Sequence, residues 1–444
     1  MKKLTTWTFS LLALFGSAAL VVSCKTDDDG VDPGTVAPVG QTVTVKGTIS
    51  QNTTWTAGNK YVLEGFVYVD NNATLTIEPG TIIRGDKVTK GSLIVKPGAK
   101  IIAEGTAQKP IIFTSNQPIG QRNYGDWGGI VLLGRAKVNK SPATIEGENV
   151  STFGGENDAD NSGSLKYVRI EFAGVAFETD KEINGLTLGG VGSGTTLDYI
   201  QISYSGDDAY EWFGGTVNAK HLISYRTLDD DFDTDWGYRG NVQYAFALRD
   251  PSVADQCSCS DSNGFESDND ASGSEAAPQT AAKFANVSIF IAPGTVNNKY
   301  RSAFRLRRNT AVSIYNSVIA GAYPRGGLEL EGTATQKNFV DGVADYRGLV
   351  LAGVTKAVVA GDSVRLADAA RKNQFRPAVS TLGLDAAYNT LGTGIKLLPQ
   401  SSSTLLTGGV QLPQGFDPVT FIGAFGTQDW TTGWTNWDPQ NTEY

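Results

Sequence analysis

The sequence is poor in His, Cys and Met, the residues that bind most transition metals. Its 444 residues include one His, three Cys and one Met, which argues against a zinc site and limits histidine catalysis to one position. Basic residues are also in the minority, since 37 Lys and Arg against 46 Asp and Glu give a formal net charge of −9. This balance disfavours a nucleic-acid partner, because phosphate binding needs a basic surface.

Glycine and apolar residues are abundant instead. The chain has 52 Gly and is 40% hydrophobic, enough for many tight turns and a large core. Two stretches share one pattern, LKYVRIEFAG at 165–174 and LDYIQISYSG at 197–206. Apolar and polar residues alternate in each, which predicts a strand with one buried face. Because a strand-and-turn unit that recurs after 32 residues is typical of a solenoid, we predict an all-β fold, a right-handed parallel β-helix over residues 41–340.

A shorter repeat precedes these copies. LTIEPGTII from Leu75 and LIVKPGAKI from Leu93 align at an offset of 18. A Pro-Gly pair favours a tight corner, since Pro fixes φ and Gly tolerates a positive φ. The first turns of the solenoid are therefore predicted to be compact.

The first 40 residues read as a targeting segment followed by a tether. A basic start, MKK, precedes an apolar run too short to span a membrane, and VVSC follows and ends at Cys24. This order predicts a signal peptide at 1–23. VVSC resembles a bacterial lipobox, which implies cleavage before Cys24 and lipidation of its thiol. Residues 24–40 are acidic and rich in Gly and Pro, so they are expected to form a flexible tether. The alternative to lipidation is a plain secreted protein whose cleavage site happens to lie near Cys24.

The strongest chemical signal is acidic. In YRTLDDDFDTDWGYRG, four aspartates occupy alternate positions, Asp229, Asp231, Asp233 and Asp235. A strand would place all four on one face, about 7 Å from neighbour to neighbour. Such charges repel unless a cation lies among them, and carboxylate oxygens are the ligands that calcium prefers. The four are therefore a candidate calcium site, and the alternative is a solvated turn whose aspartates pair with Arg226 and Arg239.

Catalytic candidates lie around the same stretch. A regular stack would place Asp207, Asp208 and Glu211 one turn below the four aspartates, and paired carboxylates serve glycosidases. Arg305 and Arg307 share a strand face, an arrangement similar to that of some pectate lyases, in which calcium holds an acidic sugar beside a basic residue. The alternative is that both arginines only balance carboxylates of neighbouring turns. The catalytic candidates are Asp207, Asp208, Asp231, Asp233, Arg305 and Arg307.

The other cysteines and the histidine have structural interpretations. Cys257 and Cys259 lie in a long polar loop, and such a pair can just span a disulfide, which an oxidising compartment favours. His221 lies in a predicted strand, where a lone His is expected to be a packing residue and not a general base.

Residues 341–444 lose the repeat. SVRLADAARKNQF is the best helical candidate, and the rest reads as loops and short helices. Near the end, Trp430, Trp434 and Trp437 have a spacing that could place them on one face. They either seal the open end of the solenoid as part of a cap or form a platform for sugar rings, and we favour the cap.

The sequence resembles a family of Bacteroidota outer-membrane lipoproteins with a pectin-lyase-like right-handed β-helix. The resemblance rests on segments such as GGENDADNSGSLKYVRIEFAG, NGFESDND and GAFGTQDWTTGWTNWDP. It implies a lipid anchor at Cys24, a position on the outer membrane facing the exterior, and attachment through the lipid alone. The shared motifs do not specify a reaction.

We therefore expect a non-catalytic surface lipoprotein that binds a glycan or assists an outer-membrane nutrient transporter, with calcium as the candidate cofactor. An acidic surface repels an anionic polysaccharide unless a cation bridges them, so the glycan is either neutral or bound through calcium. One alternative is a calcium-assisted polysaccharide lyase or glycosidase on the same face. The other is a structural or adhesive surface protein.

Overall fold

The computed structural model describes residues 40–444 except 146, 149, 179, 180 and 256–260. In this part of the chain there are thirty strands, two short α-helices and four single-turn 3₁₀ helices. The strands are β1 (Thr42–Ile49), β2 (Thr53–Trp55), β3 (Lys60–Val69), β4 (Thr74–Ile77), β5 (Ile82–Gly85), β6 (Ser92–Val95), β7 (Lys100–Glu104), β8 (Ile111–Ser115), β9 (Gly129–Leu133), β10 (Ala143–Thr144), β11 (Thr152–Phe153), β12 (Gly163–Glu171), β13 (Ala176–Glu178), β14 (Lys181–Glu182), β15 (Leu186–Gly189), β16 (Thr196–Ser203), β17 (Tyr210–Phe213), β18 (Asn218–Tyr225), β19 (Phe232–Asp235), β20 (Asn241–Arg249), β21 (Phe265–Ser267), β22 (Lys283–Ile291), β23 (Ser302–Leu306), β24 (Ser313–Tyr315), β25 (Val318–Ala320), β26 (Gly326–Leu330), β27 (Tyr346–Arg347), β28 (Val350–Ala352), β29 (Val358–Ala360) and β30 (Gln374–Arg376). The helices are α1 (Thr333–Val340) and α2 (Ser363–Leu366), and the 3₁₀ turns are Ala369–Arg371, Val379–Leu382, Thr404–Leu406 and Pro439–Asn441.

Twenty-six of these strands wind into one parallel β-helix with three sheets. Sheet 1 contains the first halves of β1 and β3, then β5, β8, the second halves of β12, β16, β18, β20 and β22, and β25, β28 and β30. Sheet 2 contains β2, β4, β7, the first halves of β12, β16, β18, β20 and β22, and β24 and β27. Sheet 3 contains the second halves of β1 and β3, then β6, β9, β15, β17, β19, β21, β23, β26 and β29. The predicted all-β parallel β-helix is confirmed.

The two sequence copies stack directly on one another. Leu165 lies opposite Leu197, and Ile170 lies opposite Ile202, in an unbroken parallel register between β12 and β16. These side chains point into the solenoid and are at most 3% exposed. Each buried aliphatic side chain of this size stabilises the fold by about 1.5–3 kcal/mol, so the repeat encodes the central core.

The Pro-Gly repeat marks corners but not successive turns. Leu75 pairs with Ile101 in sheet 2, whereas Leu93 pairs with Val67 in sheet 3. Gly80 and Gly98 have φ of 87° and 97°, as a Pro-Gly corner requires. The offset of 18 residues is therefore shorter than a whole turn. It carries the chain past two of the three sheets, so the two Pro-Gly corners join different pairs of sheets.

Five long strands bend from sheet 2 into sheet 1 at a single left-handed residue. The bend places one side chain of each turn on the outside of the corner, above the equivalent side chain of the turn before. The residues have φ between 50° and 62°, and we call them the corner column: Tyr167, Tyr199, His221, Tyr244 and Asn286.

The C-terminal segment, residues 377–444, runs back along the outside of the solenoid. Its backbone carbonyls accept hydrogen bonds from side chains of several turns: Asn316 donates to Val410 and Asn286 to Phe421, both at 2.8 Å, and Gln201 donates to Asn436 at 2.8 Å. Lys60 Nζ then donates to the carbonyl oxygen of Tyr444 at 2.7 Å. The segment thus covers a side of the β-helix over many turns, whereas the sequence predicted a cap over an open end.

A second apolar core lies under this segment. The outer face of sheet 1 contributes Phe246, Leu248 and Phe290, and the segment contributes residues that include Phe425 and Trp434. The alternating strand pattern predicted a polar outer face, but Gln201 and Glu171 are buried at 0% and 1% exposure because the segment lies over them. Both faces of sheet 1 are therefore buried in its central turns.

The β-helix continues past the predicted boundary at residue 340. Strands β27 to β30 extend the sheets to Arg376, where Phe375 lies opposite Leu351. The predicted helix in SVRLADAARKNQF is confined to α2, and a left-handed Lys372 with φ of 54° follows the next 3₁₀ turn before the chain enters β30. Within the described residues, no helix is long and apolar enough to cross a membrane.

Candidate functional site

Sheet 3 carries a column of charged side chains on its outer face. Its inner residues, including Phe232 and Phe265, are buried in the core, so the residues between them face outward. Parallel pairing places the outward residues of four successive turns in register: Glu211, Asp233, Glu266 and Arg305. The column is therefore acidic over three turns and basic at Arg305, and Glu329 lies opposite Arg305 in the next turn.

Two carboxylate triads lie where the chain turns into β17 and β19. One oxygen each from Asp208, Glu211 and Asp233 lie within 4.8 Å of one another. Asp207, Asp208 and Asp229 form a second such group, so Asp208 belongs to both. Two oxygens that bind the same calcium ion are at most about 5 Å apart, since each calcium–oxygen distance is about 2.4 Å. Both triads meet this limit.

Asp208 is fixed by the turn above it. Its Oδ1 accepts a hydrogen bond of 2.8 Å from the backbone N–H of Asp230, and the Asp230 carboxylate accepts one from the backbone N–H of Asn263. The turns before β17, β19 and β21 are therefore linked through carboxylates. In contrast, Asp233, which belongs to the first triad, has a buried Oδ1 with no hydrogen-bond donor among the described residues.

The electrostatics show that these negative charges are crowded. Burial raises the pKa of Asp208 well above its ordinary value, and the charges of Asp207 and Asp230 raise it further. Burial also raises the pKa of Asp233, to which Glu266 and Asp230 add. An acid is held in its protonated form when its charge is poorly compensated. The site thus has a shortage of positive charge, which a bound cation would supply.

The four alternate aspartates of the sequence prediction do not share one face. Strand β19 begins only at Phe232, so the backbone before it turns, and only Asp233 and Asp235 alternate within a strand. Asp229 joins the second triad instead. Asp235 accepts the backbone N–H of Trp236 at 2.7 Å and is in neither triad. The predicted four-aspartate calcium site is therefore wrong in composition.

Asp231 is a core residue. Its Oδ1 accepts a hydrogen bond of 2.6 Å from Ser224, and its Oδ2 lies 3.0 Å from Arg249 Nη1, with both side chains of the ion pair 0% exposed. Arg249 also donates to the carbonyl of Asp229 at 2.6 Å. The ion pair therefore holds the backbone of the turn that carries the triad residues. Asp231 faces the core and not the triads, so the structure does not support Asp231 as a catalytic residue or a calcium ligand.

Arg305 lies on the outer face of sheet 3, whereas Arg307 follows the end of β23 at Leu306, and both arginines are held by carboxylates. Arg305 donates to Glu266 at 3.0 Å, and Arg307 donates to Glu266 and, at 2.9 Å, to Asp268. Burial opposes the charge of Arg307, but Glu266 and Asp268 outweigh it and raise its pKa. A guanidinium held in this way is a poor base, so the geometry matches the charge-balancing interpretation.

The tryptophans lie on the other side of the molecule. Trp434 is 1% exposed and packs edge-on against Tyr167 and Tyr199, each with ring centroids 5.9 Å away. Trp430 and Trp437 are half-buried against the same second core. The three residues thus anchor the C-terminal segment and do not form a flat platform. Cys24, Cys257 and Cys259 lie outside the described residues.

Asp230 is the site residue that sequence reasoning missed. It belongs to a pattern that is visible in the chain, because Asp207-Asp208 and Asp229-Asp230 precede β17 and β19 at the same distance. Tyr210 lies opposite Phe232, so each acidic pair stacks on the other. An alignment of GDDAYEWF with LDDDFDTD at an offset of 22 would have revealed the stacking.

A family model described as pectate-lyase like beta helix domain matches residues 47–435. The chain belongs to this family. The match covers all three sheets and both triads of the pectate-lyase-like β-helix. Among solved structures, the chain is similar to one described as "Crystal structure of pectate lyase Pel9A", with 11% sequence identity, a TM-score of 0.33, and coverage of 84% of this chain and 88% of that chain. No curated protein matches the sequence.

Proposed function

We propose that this pectate-lyase-like β-helix protein binds calcium at the two triads around Asp208 and uses the ion to hold a polysaccharide against sheet 3. One observation carries the proposal: carboxylate oxygens of Asp208, Glu211 and Asp233 converge within 4.8 Å. The ion would supply the positive charge that an acidic sugar needs in order to approach this face.

The residues present fit a hard cation. Asp208 Oδ1 is held by the backbone N–H of Asp230, and Asp233 Oδ1 is buried without a donor among the described residues. Buried carboxylates in this state are costly unless a cation or donor compensates them. All the grouped side chains offer oxygen, which suits calcium better than zinc or copper.

We propose binding without cleavage as the principal role. A lyase needs a base beside the acidic sugar, but Arg305 is held by three carboxylates and Arg307 by two. Their ion pairs give the outer face of sheet 3 a rigid border next to the triads. This arrangement favours recognition of a chain over proton abstraction from it.

We further propose that the protein acts at the outer membrane, anchored through a lipid on Cys24. The lipobox-like VVSC and the acidic residues that follow it support this placement. A lipid-anchored glycan binder would concentrate polysaccharide for a neighbouring outer-membrane transporter.

The first test is a calcium titration of the purified protein and its Asp208→Asn variant, in which calorimetry measures the stability at each calcium concentration. Calcium at 100 times its dissociation constant is expected to stabilise the parent by about 2.7 kcal/mol. Asp208→Asn should abolish this gain, because Asp208 belongs to both triads. Asp341→Asn is the matched control, because Asp341 is exposed and forms an ion pair with Lys337, and this variant should keep the gain. An equal gain in all three proteins would refute the site.

The second test measures what the site does. The parent is incubated with polygalacturonate and with neutral polysaccharides, with calcium or with a chelator, and both retention and new chain ends are followed. Calcium-dependent retention without new ends is expected. Unsaturated ends that depend on Asp208 would instead make the protein a lyase, and retention of no polysaccharide would contradict the proposed function.

A further inference from the structure

A second concave site lies far from the triads, between the corner column and the C-terminal segment. It is a pocket of about 330 Å³, near the lower end of the range for small-molecule sites. Four aromatic side chains and a histidine form its walls, and polar residues form its rim. The lining residues used below are Tyr199, His221, Tyr244, Asp417, Gln428 and Trp430.

The fold builds the aromatic wall through the corner column. Tyr199, His221 and Tyr244 each occupy the left-handed bend of a successive turn, so their rings stack with centroids 4.1 Å and 5.0 Å apart. Trp430 stands across this stack, with its ring 5.1 Å from His221 at an interplanar angle of 61°. The stacked rings therefore present their edges to the pocket, and Trp430, which is itself stacked on Phe425 with ring centroids 5.4 Å apart, meets them at an angle, so together they make one rigid apolar corner.

Trp430 is held in this orientation by the segment itself. Its indole N–H donates to the carbonyl of Ala424 at 2.9 Å, and its own carbonyl accepts the indole N–H of Trp434 at 2.8 Å. Because Trp434 is buried, this arrangement preorganises Trp430 before any ligand arrives.

The charges around the pocket are balanced. His221 Nδ1 lies 2.7 Å from Asp198 Oδ1, and Lys220 Nζ donates to Asp417 Oδ1 at 2.7 Å. Each carboxylate near the pocket thus has a partner, in contrast to the crowded triads on sheet 3. Such a site offers acceptors and donors for hydroxyl groups but no excess positive charge for an anion.

We propose that this pocket binds one uncharged sugar residue. Its aromatic corner would cover the apolar C–H face of the ring, and the amide of Gln428 and the carboxylate of Asp417 would bind hydroxyl groups at the rim. The site is independent of the calcium site, because the corner column and the outer face of sheet 3 are different surfaces of the solenoid.

The test is a titration of the full protein with the methyl glycosides of glucose, galactose and mannose, and with galacturonate as the charged counterpart. Ligand-observed NMR and tryptophan fluorescence report binding. At least one neutral glycoside is expected to bind saturably and about tenfold more tightly than galacturonate, since no Lys or Arg that could pair with the carboxylate is among the described residues lining the pocket. Saturable binding of none of them, or equal binding of galacturonate, would overturn the proposal.

Three variants locate the binding. Trp430→Ala should weaken it about tenfold, which corresponds to the loss of one good aromatic contact. Gln428 lies on the exposed rim, so Gln428→Ala leaves the core intact and keeps the test valid if Trp430→Ala misfolds. Gln428→Ala should weaken binding several-fold. Gln411→Ala, exposed on the same segment but outside the pocket, is the control. Binding that Gln428→Ala and Trp430→Ala leave unchanged would place the sugar elsewhere and refute the site.

The same titration separates this proposal from the calcium site. Asp208→Asn and a calcium chelator should leave glycoside binding unchanged, because neither touches the pocket. Loss of glycoside binding in Asp208→Asn would mean that the sugar binds at the triads and would contradict the second site.

Discussion

Asp231 and Asp233 are two residues apart and have opposite roles. Asp231 turns into the core, where its ion pair with Arg249 is 0% exposed on both sides. Asp233 turns outward, next to Asp208 and Glu211. The bend before β19 separates them, so a change from carboxylate to amide should act on stability at one position and on calcium at the other.

We predict that Asp231→Asn lowers the free energy of unfolding by about 3 kcal/mol, because it leaves Arg249 buried without its counter-charge. Asp233→Asn should leave the calcium-free protein as stable or more stable, since it replaces a buried carboxyl group whose charged form is disfavoured, but it should reduce the gain from calcium. Denaturant unfolding of both variants, with and without calcium, separates the effects. Equal losses of stability in the two variants would show that the residues are not divided in this way.

At the level of the elements, the inner face of each turn could be predicted from local sequence. Leu165 and Leu197 lie at equivalent positions of two copies, and they stack in the structure. The same argument placed Asp207, Asp208 and Glu211 next to the following acidic turn, because a regular stack converts a sequence offset into contact. The composition of the triads was predicted less well, since the alternation rule holds only inside a strand and β19 begins after Asp231.

The outer face of sheet 1 could not be predicted in this way. Gln201 donates to the carbonyl of Asn436, a contact between residues separated by 235 positions. Nothing in the alternation of β16 distinguishes a polar residue that faces water from one that a distant segment covers. The corner column could not be predicted for the same reason. In the sequence His221 is a lone packing residue, and only the fold brings Trp430 against it.

The C-terminal segment depends on a few deeply buried anchors. Trp434 is 1% exposed, and its indole N–H is satisfied by the carbonyl of Trp430. We predict that Trp434→Ala lowers the free energy of unfolding by about 3–5 kcal/mol, because it removes a large side chain from a packed core. Leu398→Ala is the control on the same segment, since Leu398 is 37% exposed and should lose less than about 1 kcal/mol.

Denaturant unfolding and limited proteolysis of the segment would measure this effect. If the segment is held by Trp434, proteolysis within residues 377–444 should be faster in Trp434→Ala than in Leu398→Ala. Equal stability in the two variants would mean that hydrogen bonds from the corner column, such as the one from Asn286 to Phe421, hold the segment without the second core.

At the scale of the whole molecule, stability should depend on pH through two groups of carboxylates with opposite shifts. Burial opposes the charge of Glu329, but hydrogen bonds from Arg301, Ser302 and Arg325 outweigh it and lower its pKa to about 2. Its contribution to stability is therefore present above its ordinary pKa and lost as the pH falls towards 2. The triads behave in the opposite way, since burial and like charges raise the pKa of Asp208 and Asp233.

For the triads, the folded protein holds protons that the unfolded chain releases at its ordinary pKa. The stability they contribute is complete below about 3.8, the ordinary value for aspartate, and is lost as the pH rises towards their raised values. By linkage, the free energy of unfolding of the calcium-free protein should fall by up to about 1.4 kcal/mol per pH unit for each proton held.

Calcium binds the ionised carboxylates and so displaces these protons. We therefore predict that the melting temperature of the calcium-free protein falls between about pH 4 and pH 8, and that saturating calcium restores it more at the upper end of this range. Asp208→Asn should make the melting temperature of the calcium-free protein less dependent on pH. It removes one of the protonated carboxyl groups and lowers the repulsion that raises the pKa of the others. A calcium-free melting temperature that rises over this range would mean that the triads are ionised and compensated in the folded protein, and that the acidic face of sheet 3 needs no cation.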